Sequence, residues 1–323
     1  MTEETADATL HEAHQTLAEL GLEPSTRRLH LRSSHGSSLP IAAEGQQGRM
    51  FLLKWLLPPR PDHIYPAGSR PEDFGRREAG FYRLLDSIDP ERRDLPAPKT
   101  VLVGPGDPPK WLLLEWLQVA PGPSEEVLLQ DHVFDVLDKI QSIPVDRLLG
   151  RRDFPLSHWD AIGYLERMRL MYDAVFNVVG ETRWRHMLKF FEEAVRWLDS
   201  RKPVFVHGDF LEENLLVDVD DRPHLLDFER VGMGNSDHDF AWFWIHSTRS
   251  QEWKKNLLAR WLGKRVGGDR IRCEWGIRTA IALLAVQRLR WGFLKYGDED
   301  PRVSANLALL DAAIAGGRDL FPV

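Results

Sequence analysis

The sequence predicts an α+β protein built in two lobes: a small antiparallel-sheet unit over residues 1–117 and a larger, mainly helical unit over residues 118–323. Three observations predict it. About five short strand-like stretches and one internal helix crowd into the first lobe. A breaker segment, Ala120-Pro121-Gly122-Pro123, closes a change of pattern that places a hinge near residues 115–123. Beyond it, apolar residues recur mostly at helical spacing.

The elements follow in chain order. Leu10, Ala13, Leu17 and Leu20 give residues 9–20 an amphipathic helix, ended by Gly21. Leu29–Leu31, Leu39–Glu44 and Arg49–Leu57 read as strands, with a turn at Ser33–Ser38 and a hairpin at Gly45–Gly48. A proline-rich loop, Pro58 to Pro71, is longer than such a connection needs and suits a lid. A helix near Asp73–Leu85 and strands at Thr100–Val103 and Trp111–Leu117 complete the lobe. In the second lobe Ser124 caps a helix running to Gln141, and Ser157 with Asp160 gives a capping-box-like start to another through Val179. Residues 184–199 carry Leu188, Phe191, Val195 and Leu198 on one helical face. A strand-rich interval (203–229) precedes helices near 239–247, 252–263, 270–296 and 303–314.

With 323 residues, 43% apolar content and 12 tryptophans, the chain can bury a sizeable core. A net charge of -7 weighs against a nucleic-acid partner, which would call for a basic face. Cys273 is the single cysteine, so neither an intrachain disulfide nor a cysteine-rich metal site can form. The acidic N-terminus lacks the apolar core of a secretory signal, and Ala280–Val286 is too short to span a bilayer. The expected compartment is the cytoplasm, with no membrane partner; nothing in the sequence sets an oligomeric state.

The chemistry concentrates between Pro203 and Trp244. An apolar run, Val204–Val206, stops at His207-Gly208-Asp209, and Asn214 stands five residues on. Leu215–Val217, an Asp/Pro-rich turn and Leu225-Leu226-Asp227 read as a β-hairpin. The midpoint between Asn214 and Asp227 falls between Asp220 and Asp221, inside the turn, so both side chains should meet at the open end. An amide oxygen beside a carboxylate suits Mg²⁺, which takes few protein oxygens and completes its shell with phosphate and water. Asp209 leaves the same edge and can face a hydroxyl. That layout meets the needs of phosphoryl transfer. Gly232-Met233-Gly234 lacks the third glycine and the βαβ context of a dinucleotide fingerprint.

The pattern H-G-D-x-x-x-x-N followed by a hydrophobic strand ending in Asp resembles the signature of the aminoglycoside phosphotransferase / choline kinase-like family, over residues 25–245. The resemblance implies a bilobal protein-kinase-like fold and an ATP-dependent phosphotransferase acting on a small-molecule hydroxyl acceptor. It implies Asp209 as catalytic base, Asn214 and Asp227 as Mg²⁺ ligands, and Asp239 and His207 as supports of the loop. Glu229 holds the acidic position two beyond Asp227 found in many relatives. Lys54, inside an apolar strand, looks like the lysine that grips the α/β-phosphates, and Glu78 like its acidic partner. Ser34, Gly36 and Ser37 would lie over the phosphates, and backbone groups of Glu115 and Leu117 would bind adenine. The residues do not separate ATP from GTP. They leave the acceptor open among aminoglycosides, amino-alcohols, sugars and natural-product hydroxyls, in a pocket built from the helical lobe, including 242–244 and 288–296. A nucleotide-binding pseudokinase is the alternative function. A protein kinase is disfavoured because the chain reads H-G-D and Asp227-Phe228-Glu229.

Overall fold

Alternation along strand β3 (Met50–Leu56) decides how the first lobe packs. Phe51, Leu53 and Trp55 face one side, where they join Ala13 and Leu17 of helix α1 (Glu3–Glu19) in a satellite core. Leu52 faces the other side and belongs to the main core, and Lys54 shares its face. The coordinates are a computed structural model that describes residues 3–27, 38–57, 73–119, 126–147, 155–198, 202–297 and 300–316. The expected strand Leu29–Leu31, the Ser33–Ser37 turn and the Pro58–Pro71 loop lie outside the described residues.

Five antiparallel strands form the sheet in the order β1-β2-β3-β5-β4. They are β1 (Glu23–Pro24), β2 (Ser38–Glu44), β3, β4 (Thr100–Val103) and β5 (Trp111–Glu115). Strand β5 repeats the alternation of β3: Trp111 and Leu113 meet α1, while Leu112 and Leu114 meet helix α2 (Asp73–Ile88). Leu10, expected on the buried face of α1, is exposed instead; Ala13 and Leu17 suffice to seal that face. Helix α2 carries Phe81, whose ring lies 5.0 Å from that of Phe205 and 4.1 Å from that of Phe228. Through these rings α2 packs on the helical lobe as well as on its own sheet.

The second lobe comprises α3 (Glu126–Gln141), β6 (Ser157–Trp159), α4 (Ala161–Leu170), α5 (Tyr172–Val179) and α6 (Glu181–Leu198), then β7 (Val204–Val206), β8 (Leu215–Val217), β9 (Pro223–Leu225) and β10 (Gly232–Gly234). It ends with α7 (His238–His246), α8 (Gln251–Gly263), α9 (Gly268–Tyr296) and α10 (Pro301–Ala315). The apolar run Ala280–Val286 lies wholly buried along α9, which explains its composition without a bilayer. No described helix is long and apolar enough to cross a membrane.

One sequence expectation needs correction here. The helix expected from Ser157 to Val179 begins later and is interrupted near Met171. Asp160 is its cap, accepting the Gly163 N–H at 2.8 Å, while Ser157 belongs to strand β6. The Gly-Met-Gly run is strand β10, paired parallel to β6 and antiparallel to β7. Its glycines answer to close approach. A Cβ on Gly232 would stand 2.1 Å from the Ser157 carbonyl oxygen. The strand draws β6 against β7, whose end delivers His207.

Gly232→Ala should therefore lower the unfolding free energy by about 1–3 kcal/mol through overpacking. Gly263→Ala, at a helix end where a Cβ meets nothing within 4 Å, should be neutral or slightly stabilising. Urea unfolding of both variants checks the contrast.

Candidate active site

A lysine in the middle of a buried strand must find counter-charges, because an isolated ammonium is costly to desolvate. Lys54 finds two. Its Nζ lies 2.6 Å from Glu78 Oε1 on α2 and 2.6 Å from Asp227 Oδ1 at the end of the β8–β9 hairpin. Burial opposes the charge on Lys54, yet Asp227 and Glu78 together raise its pKa. Burial opposes the charge on half-buried Asp227, yet the lysine holds it below the usual carboxylate range. Burial pushes Glu78 up, with Lys54 opposing.

The hairpin forms as the sequence predicts, with a register one position different. Leu215 pairs with Leu225, and Leu226 N–H donates to the Asn214 carbonyl at 2.9 Å. Asn214 therefore faces Leu226, and Asp227 lies one residue beyond. A left-handed backbone at Asp227 (φ 67°) turns the chain there, toward Lys54. Asn214 donates its Nδ2 to the Asp209 carbonyl at 2.9 Å, which directs its Oδ1 away from the loop. An amide oxygen and a lysine-anchored carboxylate at one hairpin end are hard oxygen donors. They fit Mg²⁺ arriving with phosphates, which needs only one or two protein ligands. Among the described residues there is no cluster of three or more His, Cys, Asp or Glu that could hold a metal alone.

Asp209 sits on a loop that is tied at three points. Asp239, at the start of α7, accepts the His207 N–H at 2.7 Å and the Gly208 N–H at 2.9 Å. The His207 ring braces the loop against the hairpin. Its Nδ1 accepts the Asp209 N–H at 3.2 Å, so its Nε2 carries the proton and donates to the Leu226 carbonyl at 2.9 Å. Gly208 adopts φ 81°, and a Cβ there would approach the Arg230 carbonyl to 2.5 Å, so only glycine fits. Burial lowers His207 to about 4, keeping the ring neutral. Burial also raises Asp239 to about 7, against its two backbone donors.

The Asp209 carboxylate is itself oriented. Trp242 Nε1–H donates to Oδ1 at 3.1 Å, and Arg230 Nη1 stands 3.8 Å from the same oxygen. Burial opposes the Arg230 charge, but Asp209, Glu229 and Asp227 raise its pKa; all three acids thus converge on one guanidinium. Glu229 is buried, 3.7 Å from Arg230 Nε, and its carbonyl accepts from Arg77 Nη1 at 3.2 Å. Neither Arg230 nor Arg77 stood out in the sequence. Trp242 did, within the 242–244 segment expected at the acceptor pocket; it follows Asp239 by three positions and shares its helix face.

Of the remaining expected residues, Glu115 ends β5 on the strand next to Lys54. Its N–H is already bonded to the Lys99 carbonyl at 2.9 Å, and its carboxylate accepts the Lys99 N–H at 2.8 Å. Leu117 follows in the connection to the second lobe. Ser34, Gly36, Ser37 and residues 120–123 of the hinge lie outside the described residues, as do the side chains of 291 and 293–296.

This geometry has parallels. The model of the APH family, described as a phosphotransferase enzyme family, matches residues 63–275. No curated protein sequence matches the chain. Among solved structures, a thermostable mutant of aminoglycoside phosphotransferase APH(4)-Ia, in ternary complex with ADP and hygromycin B, is similar at TM-score 0.62 and 13% identity over 94% of this chain and 97% of that one. An ethanolamine kinase of Plasmodium vivax is similar at TM-score 0.62 and 13% identity, over 99% and 90%. A choline/ethanolamine kinase family protein from Mesorhizobium loti reaches TM-score 0.58 at 15% identity, over 97% of both chains. At these identities the likeness is one of fold: the bilobal, kinase-like α+β architecture.

Two outcomes follow from the site's charges. Lys54→Met should cost about 3–5 kcal/mol by stranding buried carboxylates. Adding Glu78→Gln should recover part of it, and strictly additive losses in urea unfolding would contradict the coupling. The second concerns pH. Between about 4 and 6.5 an unfolded His207 binds a proton that the folded one does not, so this residue makes stability rise with pH. Asp239 acts with the opposite sign between 3.8 and about 7. His207→Asn should accordingly shift the slope of unfolding free energy against pH downward by about 1.4 kcal/mol per pH unit in that window.

Proposed function

Because the chain belongs to the phosphotransferase enzyme family, we propose that it transfers the γ-phosphoryl group of ATP to a hydroxyl of a small molecule. One observation carries this reading: Lys54 is clamped between Glu78 and Asp227, with Asn214 and the Asp209 loop at the same hairpin end. That lysine–glutamate pair is the arrangement a kinase-like site needs to grip a nucleotide. ADP in a similar fold supports the nucleotide assignment.

In this reading Lys54 uses its remaining N–H on the α/β-phosphates, and the carbonyl of Glu115 with the backbone of Leu117 receives the adenine. Asn214 Oδ1 and the Asp227 carboxylate would hold Mg²⁺, which when bound neutralises charge on the phosphates. Asp209 accepts the proton of the acceptor hydroxyl as its oxygen bonds to the γ-phosphorus; the bond from that phosphorus to the β–γ bridging oxygen breaks and ADP leaves. The Trp242 N–H and Arg230 hold one oxygen of Asp209, leaving the other for the hydroxyl. Positioning and charge neutralisation supply most of the rate. The lobes divide at 117/118, a placement supported by Val119, which bridges to Asp218, and by Val219 N–H, which donates to the Gln118 carbonyl at 2.9 Å.

Asp209→Asn should lower turnover about 10²–10⁴-fold while nucleotide affinity stays near its starting value. Asn214→Ala and Asp227→Ala should raise the Mg²⁺ concentration needed for nucleotide binding. The measurement is coupled ADP release across a library of hydroxyl compounds, with Asp209→Asn as blank. Near-normal turnover in that variant would remove Asp209 from the mechanism. Nucleotide binding with no Asp209-dependent ADP release, even in water alone, would favour a pseudokinase.

A further inference from the structure

The indole that orients Asp209 is itself held by other rings. Helix α7 places His238, Trp242 and His246 four residues apart, on one face. The Trp242 ring is stacked on that of His238 at 5.6 Å and lies 5.1 Å from that of His246. His246 Nδ1–H donates to the Trp242 carbonyl at 2.9 Å, which fixes that ring against its own helix. His238 is anchored elsewhere. Tyr164, on α4, donates its hydroxyl to His238 Nδ1 at 2.6 Å. The Trp159 ring lies 4.4 Å from that of His238 and 6.4 Å from that of Trp242. Trp159 is fixed in turn: its Nε1–H donates to the Arg230 carbonyl at 3.0 Å, and the Arg167 guanidinium stands 3.7 Å from its ring centre.

Core packing alone does not explain a histidine here. His238 and Tyr164 are wholly buried, and His238 Nε2 has no partner among the described residues. An orphan polar atom in a core costs stability that an apolar ring would not. Burial and Arg167 hold the imidazole well below its usual pKa, so it is neutral and charge is not its contribution. What an imidazole has and a phenyl ring lacks is the tether to α4. That tether sets the height of the ring on which the Trp242 indole rests. An indole has a single N–H, so its 3.1 Å bond to Asp209 Oδ1 depends on where the ring lies. The indole is the nearer of the two groups on that oxygen, Arg230 standing 3.8 Å away.

We propose that His238 is a positioning residue for the transfer: tethered by Tyr164, it holds the Trp242 indole on Asp209 Oδ1, so that Oδ2 is the oxygen that takes the acceptor's proton. This rests on the phosphotransferase reading above. In the step the acceptor O–H bond breaks and its proton goes to Oδ2. The new O–P bond forms, and the bond from phosphorus to the β–γ bridging oxygen breaks as ADP leaves. His238 and Tyr164 act on none of these atoms directly. Their loss therefore belongs in kcat, not in KM for the nucleotide.

The test uses the full chain and separates stability from turnover. Trp242→Phe should lower kcat for ADP release from Mg-ATP, with water as acceptor, about 10–100-fold, as loss of a hydrogen bond to a charged group does. KM for ATP should stay unchanged. Tyr164→Phe/His238→Phe removes both partners of the tether and strands neither, so its unfolding free energy in urea should match or exceed that of wild type. Its kcat should nevertheless fall, by no more than in Trp242→Phe, and adding it to Trp242→Phe should cost no further turnover. In nitrogen-labelled protein the Trp242 indole proton, assigned by its absence from Trp242→Phe, should exchange with solvent faster in the double variant. Tyr164→Phe alone carries the same readouts if the double variant does not fold. A stable variant with wild-type kcat, an unchanged exchange rate, or a loss that persists in full on top of Trp242→Phe overturns the proposal and leaves the phosphotransferase reading standing. No Asp209-dependent ADP release from wild-type protein, with water or with any hydroxyl compound, removes both.

Discussion

Everything in the site is referred to one buried cation. Lys54 faces the inside of the molecule because β3 alternates, and its neighbours on that face are core side chains. It can stay charged there only with carboxylates in contact. One comes from α2 in its own lobe and the other from the hairpin of the second lobe. The ion triad is thus a connection between lobes. It fixes the height of α2 against the sheet and the position of the chain after β9. The aromatic contacts of Phe81 with Phe205 and Phe228 hold the same junction from its apolar side.

A second brace, independent of the first, holds the loop of Asp209. His207 spans from that loop to the hairpin through both ring nitrogens, and Asp239 collects two backbone donors. Burial moves the two groups in opposite directions, toward a neutral imidazole and a carboxyl that titrates near neutrality. Asp209 itself has one oxygen oriented by an indole and a guanidinium. In the proposed reaction the site separates tasks: Lys54 and the hairpin end would face phosphate, and the Asp209 loop and α7 the acceptor.

Much of this was legible in the sequence. The period-two pattern of 50–56 marked a strand with an inward lysine, and the spacing of His207, Asp209, Asn214 and Asp227 marked a loop and hairpin. The register of that hairpin was not legible to the residue. Counting inward from Asn214 and Asp227 assumed that they pair, whereas the left-handed turn at Asp227 places it one beyond. Strand β10 was not legible either, because Gly-Met-Gly has no strand propensity. Its pairing comes from two neighbouring backbones that approach too closely for any side chain. Ser157 read as a cap because caps are local, and its strand is not.

The sequence by itself determined which chemical groups the chain owns and how they are spaced along it: one inward lysine, the His207–Asn214 loop, the hairpin acid and the helix-opening Asp239. Only the tertiary structure decided which of them touch. Lys54 and Asp227 are separated by 173 positions, and Trp242 and Asp209 by 33. The physical reason is that periodicity and turn chemistry act over a few residues, while partners for a buried charge are chosen by how whole elements pack. That packing also brought Arg230 and the Trp242 indole to one oxygen of Asp209, a grouping that no local pattern encodes.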